Sequence, residues 1–496
     1  MPPLPRELRK ILEDAVVKAR GDAEQAAAAA LVTIGLEDER PHASLSQDER
    51  TLRLALRAKL RQLGSLEALI AEIAYQHWHR MLFARFLIEN KVLIHPEFGV
   101  AVSSEELADL AKEQGEPDPW VLAADFASKM LPAIFRVGDP ELALPFAPEG
   151  RQAQEQRLAG LPREVFTAED ALGWVYQFWQ SERKKQVNAS ETKIGAAELP
   201  AVTQLFTEDY MVRFLLENSL GAWWAARHPD SSLLDGFAYL RYTDEGAPAA
   251  GSFDGWPQTV AEVTVMDPCC GSGHFLTAAF EMLAAMRMEE EGLDAERAGD
   301  AVIAANLFGL ELDPRCTQIA AFALALAAWK HGGYRELPGP NIACSGTPVK
   351  GQLEEWKRLA EGDERLENAF VALHEQFRNA PELGSLIDPR RATDEGHLFE
   401  VDFDEVAPLL AKLLEREHDP EVQVAGWAAT GIAEAAALLA RTYTLVATNV
   451  PYLHRQKQAE TLRTFLGRTY QDASAELATT GRDRVSRPSR RSASNG

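Results

Sequence analysis

The sequence predicts an α/β protein in two parts, a helical N-terminal domain and then a mainly parallel, doubly wound sheet interrupted by a helical insertion. Three observations predict it. From residue 6 to about 136, apolar residues recur at helical spacing, with Leu8, Ile11, Leu12, Ala15 and Val16 on one face and Trp78, Leu82, Phe83 and Phe86 continuing the pattern. From about residue 200 the texture changes to short apolar runs, each followed by a turn and a helical stretch, and strands alternating with helices build a parallel sheet. Residues 353–440 then keep a helical texture over a length too great for a structureless loop.

Taken in order, the helical domain is expected over residues 1–165. Its end, 138–162, is rich in Pro, Gly and charge and reads as a connection. Thr167 with Asp170 reads as a capping-box start for the aromatic helix GWVYQFWQSERKK. Trp174, Tyr176, Phe178 and Trp179 on it read as core and not as a nucleotide-stacking surface. The second domain is expected over 166–480, with a first strand at 263–266 ending at Asp267 and a helix at 275–288. A second strand at 307–310 ends at Glu311 and leads into a helix reaching Trp329. The third and fourth strands are expected at 341–344 and 443–447, on either side of the insertion at about 350–440. Residues 481–496 form a basic, disordered tail.

The 496 residues, 46% of them apolar, are ample for more than one core. A formal net charge of −24 argues against the whole chain coating a polyanion, so any surface for nucleic acid must be local. Cys269, Cys270, Cys316 and Cys344 include no C-x-x-C pair and no clustered histidines accompany them, so they read as small buried residues and no metal site is expected. The N-terminus lacks the order of a signal peptide, and the longest apolar run, 319–329, is too short to cross a bilayer, which points to the cytoplasm. Glu182-x-Lys184 and Glu191-x-Lys193 match the end of a nuclease signature, but neither follows a strand pair; Glu182 reads as part of a solvated helix end.

The chemistry gathers at strand ends. In the run DPCCGSGHFL, Gly271 and Gly273 stand between the first strand and its helix, where glycine lets backbone amides approach a ligand. Glu311 adds a carboxylate at the end of the second strand, where the ribose hydroxyls of a nucleoside cofactor lie in such sheets. The fourth strand ends in TNVPYL, at 448–453.

These blocks carry a family resemblance. TNVPYL resembles the N-P-P-Y motif of amino-methyltransferases, DPCCGSGHF resembles their cofactor motif, and TQLFT, at 203–207, resembles the motif that closes over the methionine end of the cofactor in the γ order. With its GWVYQF segment, the chain is most similar to the adenine-specific DNA methyltransferases of BREX, or phage growth limitation, defence systems, over roughly residues 66–480. The resemblance implies a partial Rossmann-like domain, S-adenosylmethionine as cofactor, DNA as substrate, methyl transfer to adenine N6, and defence-system proteins as partners. It implies cofactor contacts at Thr207, Asp267, Gly271, Gly273, Phe275 and Glu311, and catalytic roles for Asn449, Val450, Pro451 and Tyr452. In the family the Asn oxygen and the next carbonyl accept both hydrogens of the target amine, which carries over to Asn449 and the carbonyl of Val450. Tyr452 would stack on a base swung out of the duplex.

Two departures stand out. Val450 replaces the first proline of N-P-P-Y but keeps the required carbonyl, and Ser345 stands where many relatives carry Asp. Pro268-Cys269 resembles the nucleophilic Pro-Cys of cytosine-C5 methyltransferases but sits in the cofactor loop, so Cys269 is expected to be a packing residue. The family continues beyond Tyr452 with three more strands and a recognition domain, whereas this chain turns to Arg/Ser-rich sequence carrying Arg482, Arg484, Arg487, Arg490 and Arg491. A premature end by frameshift and a natural basic tail are both consistent with that change. Truncation predicts weak or no methylation by the chain alone and an unpaired edge on the fourth strand. Methylation of RNA or of a glutamine amide, and a non-catalytic subunit with a degenerate methyltransferase half, are the rival readings.

Overall fold

The computed structural model describes residues 4–115, 119–135, 139–190, 192–196, 198–203, 206–349, 352–360, 362–390, 406–410, 420–471, 474–475 and 477. The expected basic tail, Gln204 and Leu205 of TQLFT, and Glu191 lie outside the described residues. The chain divides into two compact units, residues 1–182 with 333–336, and residues 183–332 with 337–496.

The first unit is helical. Helix α1 (Arg6–Thr33) buries Leu12, Val16 and a run of alanines from Ala19 to Ala30, a small-residue face that admits close neighbours. Helix α2 (Gln47–Leu63) starts at a Ser46/Glu49 capping box and stops at Gly64 in the left-handed region. Helix α3 (Leu66–Glu89) is buried nearly all round, as a central helix must be. Trp174, Tyr176, Phe178 and Trp179 are buried core, as expected.

Two expectations need correction. Residues 138–162 are no mere connection, because a helix spans Pro148–Ala159 with proline in its first turn, where the missing N–H costs nothing. Its Gly150 sits so close to α1 that an added Cβ would come within 2.8 Å of the Ala26 Cβ. Glycine and proline there are contact and start signals. The Thr167 capping box is also absent. Thr167 ends the short helix Arg163–Thr167, and Asp170 makes no cap but accepts hydrogen bonds from Leu4 N at 2.6 Å and Trp174 Nε1 at 2.7 Å.

The second unit holds a four-stranded parallel sheet, β1 (Val265–Asp267), β2 (Leu307–Glu311), β3 (Asn341–Cys344) and β4 (Leu445–Val446), in the order β3-β2-β1-β4. Val265 pairs with Leu307 on one side and Leu445 on the other. Alternate residues enter different cores. Val265, Leu307 and Ala447 join Val212, Leu216, Phe280, Leu283 and Leu324 of the helices Asp209–Leu216, His274–Glu291 and Pro314–Gly332. Met266, Phe308, Leu310 and Ala343 join the opposite core, with Phe370 and Phe377, Ala429, Ile432 and Ala436 of the inserted segment, and Leu466 of the helix Glu460–Thr469. The insertion between β3 and β4 therefore supplies the second layer of the sheet. None of the described helices is long and apolar enough to cross a membrane.

Asn306, fully buried at 0% exposure, pins the amino end of this sheet. Its Nδ2 donates to the carbonyls of Val260 at 2.9 Å and Val263 at 2.6 Å, and its Oδ1 accepts from Arg287 Nη1 at 3.2 Å. Asn306→Ala strands all three partners and is expected to cost about 3 kcal/mol of stability, measured as a lowered denaturation midpoint in urea with unchanged slope.

Candidate active site

The strand order reverses between β1 and β4, and ligands bind such sheets at the carboxyl ends beside that switch. Asp267, Glu311, Ser345 and Asn449 lie at or just beyond the carboxyl ends of the four strands.

Hydrogen bonds hold the loop after β1 in shape. Asp267 Oδ1 accepts from Cys269 N at 3.0 Å, Cys270 N donates to Leu310 O at 2.9 Å, and Gly273 N donates to Cys270 O at 2.8 Å. Gly271 and Gly273 have φ of 53° and 85°, which side-chain-bearing residues rarely adopt. A Cβ on Gly273 would also meet the Cα and Cβ of Ala320 at 3.0 Å, so the loop lies tight on the helix Pro314–Gly332.

Glu311 closes this loop onto β2. Its Oε2 accepts from Gly271 N at 2.7 Å, while Oε1 accepts from Leu312 N at 2.8 Å and Asp313 N at 3.2 Å. Two residues that the sequence offered as separate contacts are thus bonded to each other. Ser345, 1% exposed, donates N to Glu311 O at 2.7 Å and Oγ to the same oxygen at 3.2 Å. Its hydroxyl ties β3 to β2 and is not left for a ligand.

Asp267 and Glu311 are 1% and 6% exposed, and among the described residues neither has a Lys or Arg partner. Burial pushes Asp267 up from 3.8 to about 7, against the Thr448 side chain and the Cys269 N–H, which hold it down, and Glu311 adds to the rise. Glu311 is likewise raised by burial to about 7, in spite of its three backbone donors. The Cys269 thiol is pushed far up by burial and then by Glu311 and Asp267, which keeps it protonated and unsuited to nucleophilic attack. The site is acidic, and that donor set suits a ligand carrying hydroxyls and positive charge.

The fourth corner lies beyond β4. Asn449 Nδ2 donates to Thr207 Oγ1 at 3.1 Å, joining two motifs 242 residues apart in sequence. Thr207 follows Phe206, whose ring is 4.9 Å from that of His274 at the start of the cofactor-loop helix. Asp209 Oδ1 lies 3.8 Å from His274 Nε2. Val450 and Pro451 are half-buried, Tyr452 is 62% exposed, and Phe275 is buried in the core beneath the loop. Asp209 escaped the sequence reading, and His274 and Thr448, though inside the quoted motifs, were given no role there, since only folding brings their side chains to these partners. Glu182 and Lys184 lie on the helix Ser181–Ser190 and not at the end of a strand.

Residues 251–335, which hold β1, the glycine loop and β2, match the family model described as MmeI, DNA-methyltransferase domain. Over most of its length the chain is similar to proteins named adenine-specific methyltransferases. It is 26% identical over 488 residues to the adenine-specific methyltransferase BrxX of Escherichia coli O9:H4 (strain HS), covering 87% of this chain and 40% of that protein. It is 25% identical over 476 residues to the adenine-specific methyltransferase PglX of Lacticaseibacillus casei (strain Zhang), covering 83% and 38%. The chain therefore spans about two fifths of the length of these curated relatives. Among solved structures it is similar to the cryoEM structure DrdV-DNA complex, at a TM-score of 0.40 and 12% identity over 97% of this chain and 34% of that one.

A carboxylate raised by burial binds its proton more tightly folded than unfolded. It therefore contributes stability at low pH that is lost as pH rises from the unfolded value, near 4, through the folded value, about 7. Asp267→Asn removes that loss. Its melting temperature is expected to exceed that of the unaltered chain at pH 8, with the gap narrowing steadily towards pH 4; a gap independent of pH would contradict the assignment.

Proposed function

We propose that this chain holds the cofactor site and the target-amine loop of an adenine-specific DNA methyltransferase, acting in the phage-defence setting that its resemblance to BREX enzymes implies. In this reading a helical domain over 1–165 precedes a partial Rossmann-like methyltransferase domain over 166–480, and the cofactor is S-adenosylmethionine. The observation that carries it is the meeting, at one edge of a parallel sheet, of the Gly271–Glu311 and Asn449–Thr207 hydrogen bonds.

The residues fit that cofactor. The glycine loop brings backbone close to a ligand, Glu311 offers a carboxylate to ribose hydroxyls, and a cation beside Asp267 and Glu311 would favour their charged forms against the burial that raises them. Thr207, Asp267, Gly271, Gly273 and Glu311 would hold it, with Phe275 supporting the loop from below. When bound, S-adenosylmethionine supplies a methyl group activated by the positive sulfonium.

Asn449 and Val450 act on the other reactant. The lone pair of adenine N6 is delocalised into the ring, so the amine is a weak nucleophile. With Asn449 Nδ2 given to Thr207, its Oδ1 is the atom that accepts one amine hydrogen, and the carbonyl of Val450 accepts the other. Both oxygens favour a pyramidal nitrogen and stabilise the positive charge that develops on it during transfer. Tyr452, exposed on the same loop, would stack on the base once it leaves the duplex.

The test has two parts. Calorimetry with the purified chain is expected to show one S-adenosylmethionine site, lost in Gly273→Val; no binding would remove the cofactor reading. Sequencing that maps N6-methyladenine in duplex DNA is expected to show Asn449→Ala lowering transfer by about a hundredfold. Transfer unchanged in that variant would rule out the amine-acceptor role.

A further inference from the structure

The inserted segment returns to the sheet at the turn 384–387, which lies at the same carboxyl edge as the site. Gly384 has φ of +47°, and an added Cβ would sit 2.8 Å from Leu312 Cδ1 and 3.3 Å from Ser345 Oγ, against the ends of β2 and β3. Leu383, Leu386 and Ile387 are buried, and Tyr470 Oη, just after the helix Glu460–Thr469, donates to Leu386 O at 3.0 Å. Within this buried stretch Ser385 alone is partly exposed. Its Oγ lies 3.7 Å from Sγ of Cys269, itself half-buried in the cofactor loop. Sulfur is a weak hydrogen-bonding partner, so the hydroxyl keeps its capacity for a stronger one.

The other polar groups nearby are largely engaged. Glu311 spends Oε1 on two backbone N–H groups and keeps one lone pair of Oε2 beside its bond from Gly271 N, and the Ser345 hydroxyl proton is given to Glu311 O. The turn stands beyond β2, against Leu312 and the end of β3, next to where a ribose held at Glu311 would put its base. We infer that the turn 384–387 walls the base end of the cofactor site and that Ser385 is a positioning residue whose hydroxyl hydrogen-bonds the adenosine half of the cofactor. The inference rests on the cofactor reading given above and adds to it a wall drawn from the insertion. It also gives the insertion a second task, since Tyr470 holds the same turn from the segment that follows the target-amine loop.

Calorimetry with S-adenosylhomocysteine and with adenosine, on the full chain and its Ser385 variants, tests this. Ser385→Ala is expected to weaken both ligands about fivefold, the loss of one net hydrogen bond. Ser385→Thr, which keeps the hydroxyl, is expected to retain most of the affinity, and Ser385→Phe to lose at least about tenfold by filling the wall. Melting temperatures without ligand should stay together for the Ala and Thr variants, whereas a purely structural role would lower stability and affinity in step. Binding by the unaltered chain with Ser385→Ala unchanged overturns this inference alone. Failure of the unaltered chain to bind either ligand overturns the cofactor reading and this inference with it.

Discussion

The carboxylate of Glu311 is the joint on which the site depends. Through Oε2 it holds Gly271 of the loop after β1, and through Oε1 it holds the first two amides after β2. Its own carbonyl receives both the N–H and the hydroxyl of Ser345, at the end of β3. One residue thus fixes three strand ends relative to each other. The arrangement is costly, because a buried carboxylate with no cationic partner among the described residues gives up solvation that three N–H donors only partly return. Its persistence here, next to the equally buried Asp267, fits a site held in readiness for a ligand that brings positive charge and hydroxyls.

The second joint, Asn449 to Thr207, works differently. It links two loops from distant parts of the chain through neutral groups, so its cost is small and its effect is orientation. By occupying the amide nitrogen it sets which end of the Asn449 side chain remains to accept hydrogens. In the proposed reading the acidic joint serves the cofactor and the neutral joint the amine. The formal charge of −24 over the whole chain argues against a general phosphate-binding surface.

Much of this was legible in the sequence, for reasons that differ by residue. β1 and β2 show as short apolar runs because every residue in them is buried, and they end in Asp267 and Glu311, whereas the only partly buried β4 is marked by the TNVPYL loop that follows it. Gly273 was legible because a left-handed backbone demands glycine. Residues 138–162 misled because proline and glycine mean start and close approach inside a helix pair as readily as they mean a loop. Asp170 misled because its spacing suits a cap, while burial gave its oxygens to Leu4 N and the Trp174 indole. The bond between Gly271 and Glu311 and the turn at Ser385 were beyond reach, since contacts across 40 and 116 residues leave no local pattern.

The same physics accounts for the one departure from the family motif at the fourth strand. A proline at Val450 would stiffen the loop by fixing φ. Here the loop is instead clamped at both ends. Ala447 N donates to Met266 O at 3.0 Å, which carries the β4 pairing up to the motif. Leu453 is buried in the core on the insertion side, and its carbonyl accepts from Gln458 Nε2 at 3.0 Å and Leu477 N at 3.1 Å. Between these clamps lie only Thr448 to Tyr452, with Asn449 tied to Thr207 and Pro451 still present. The rigidity that one ring would supply locally is shared among four hydrogen bonds and a buried leucine, so the oxygens of Asn449 and Val450 stay paired on one short, tethered segment.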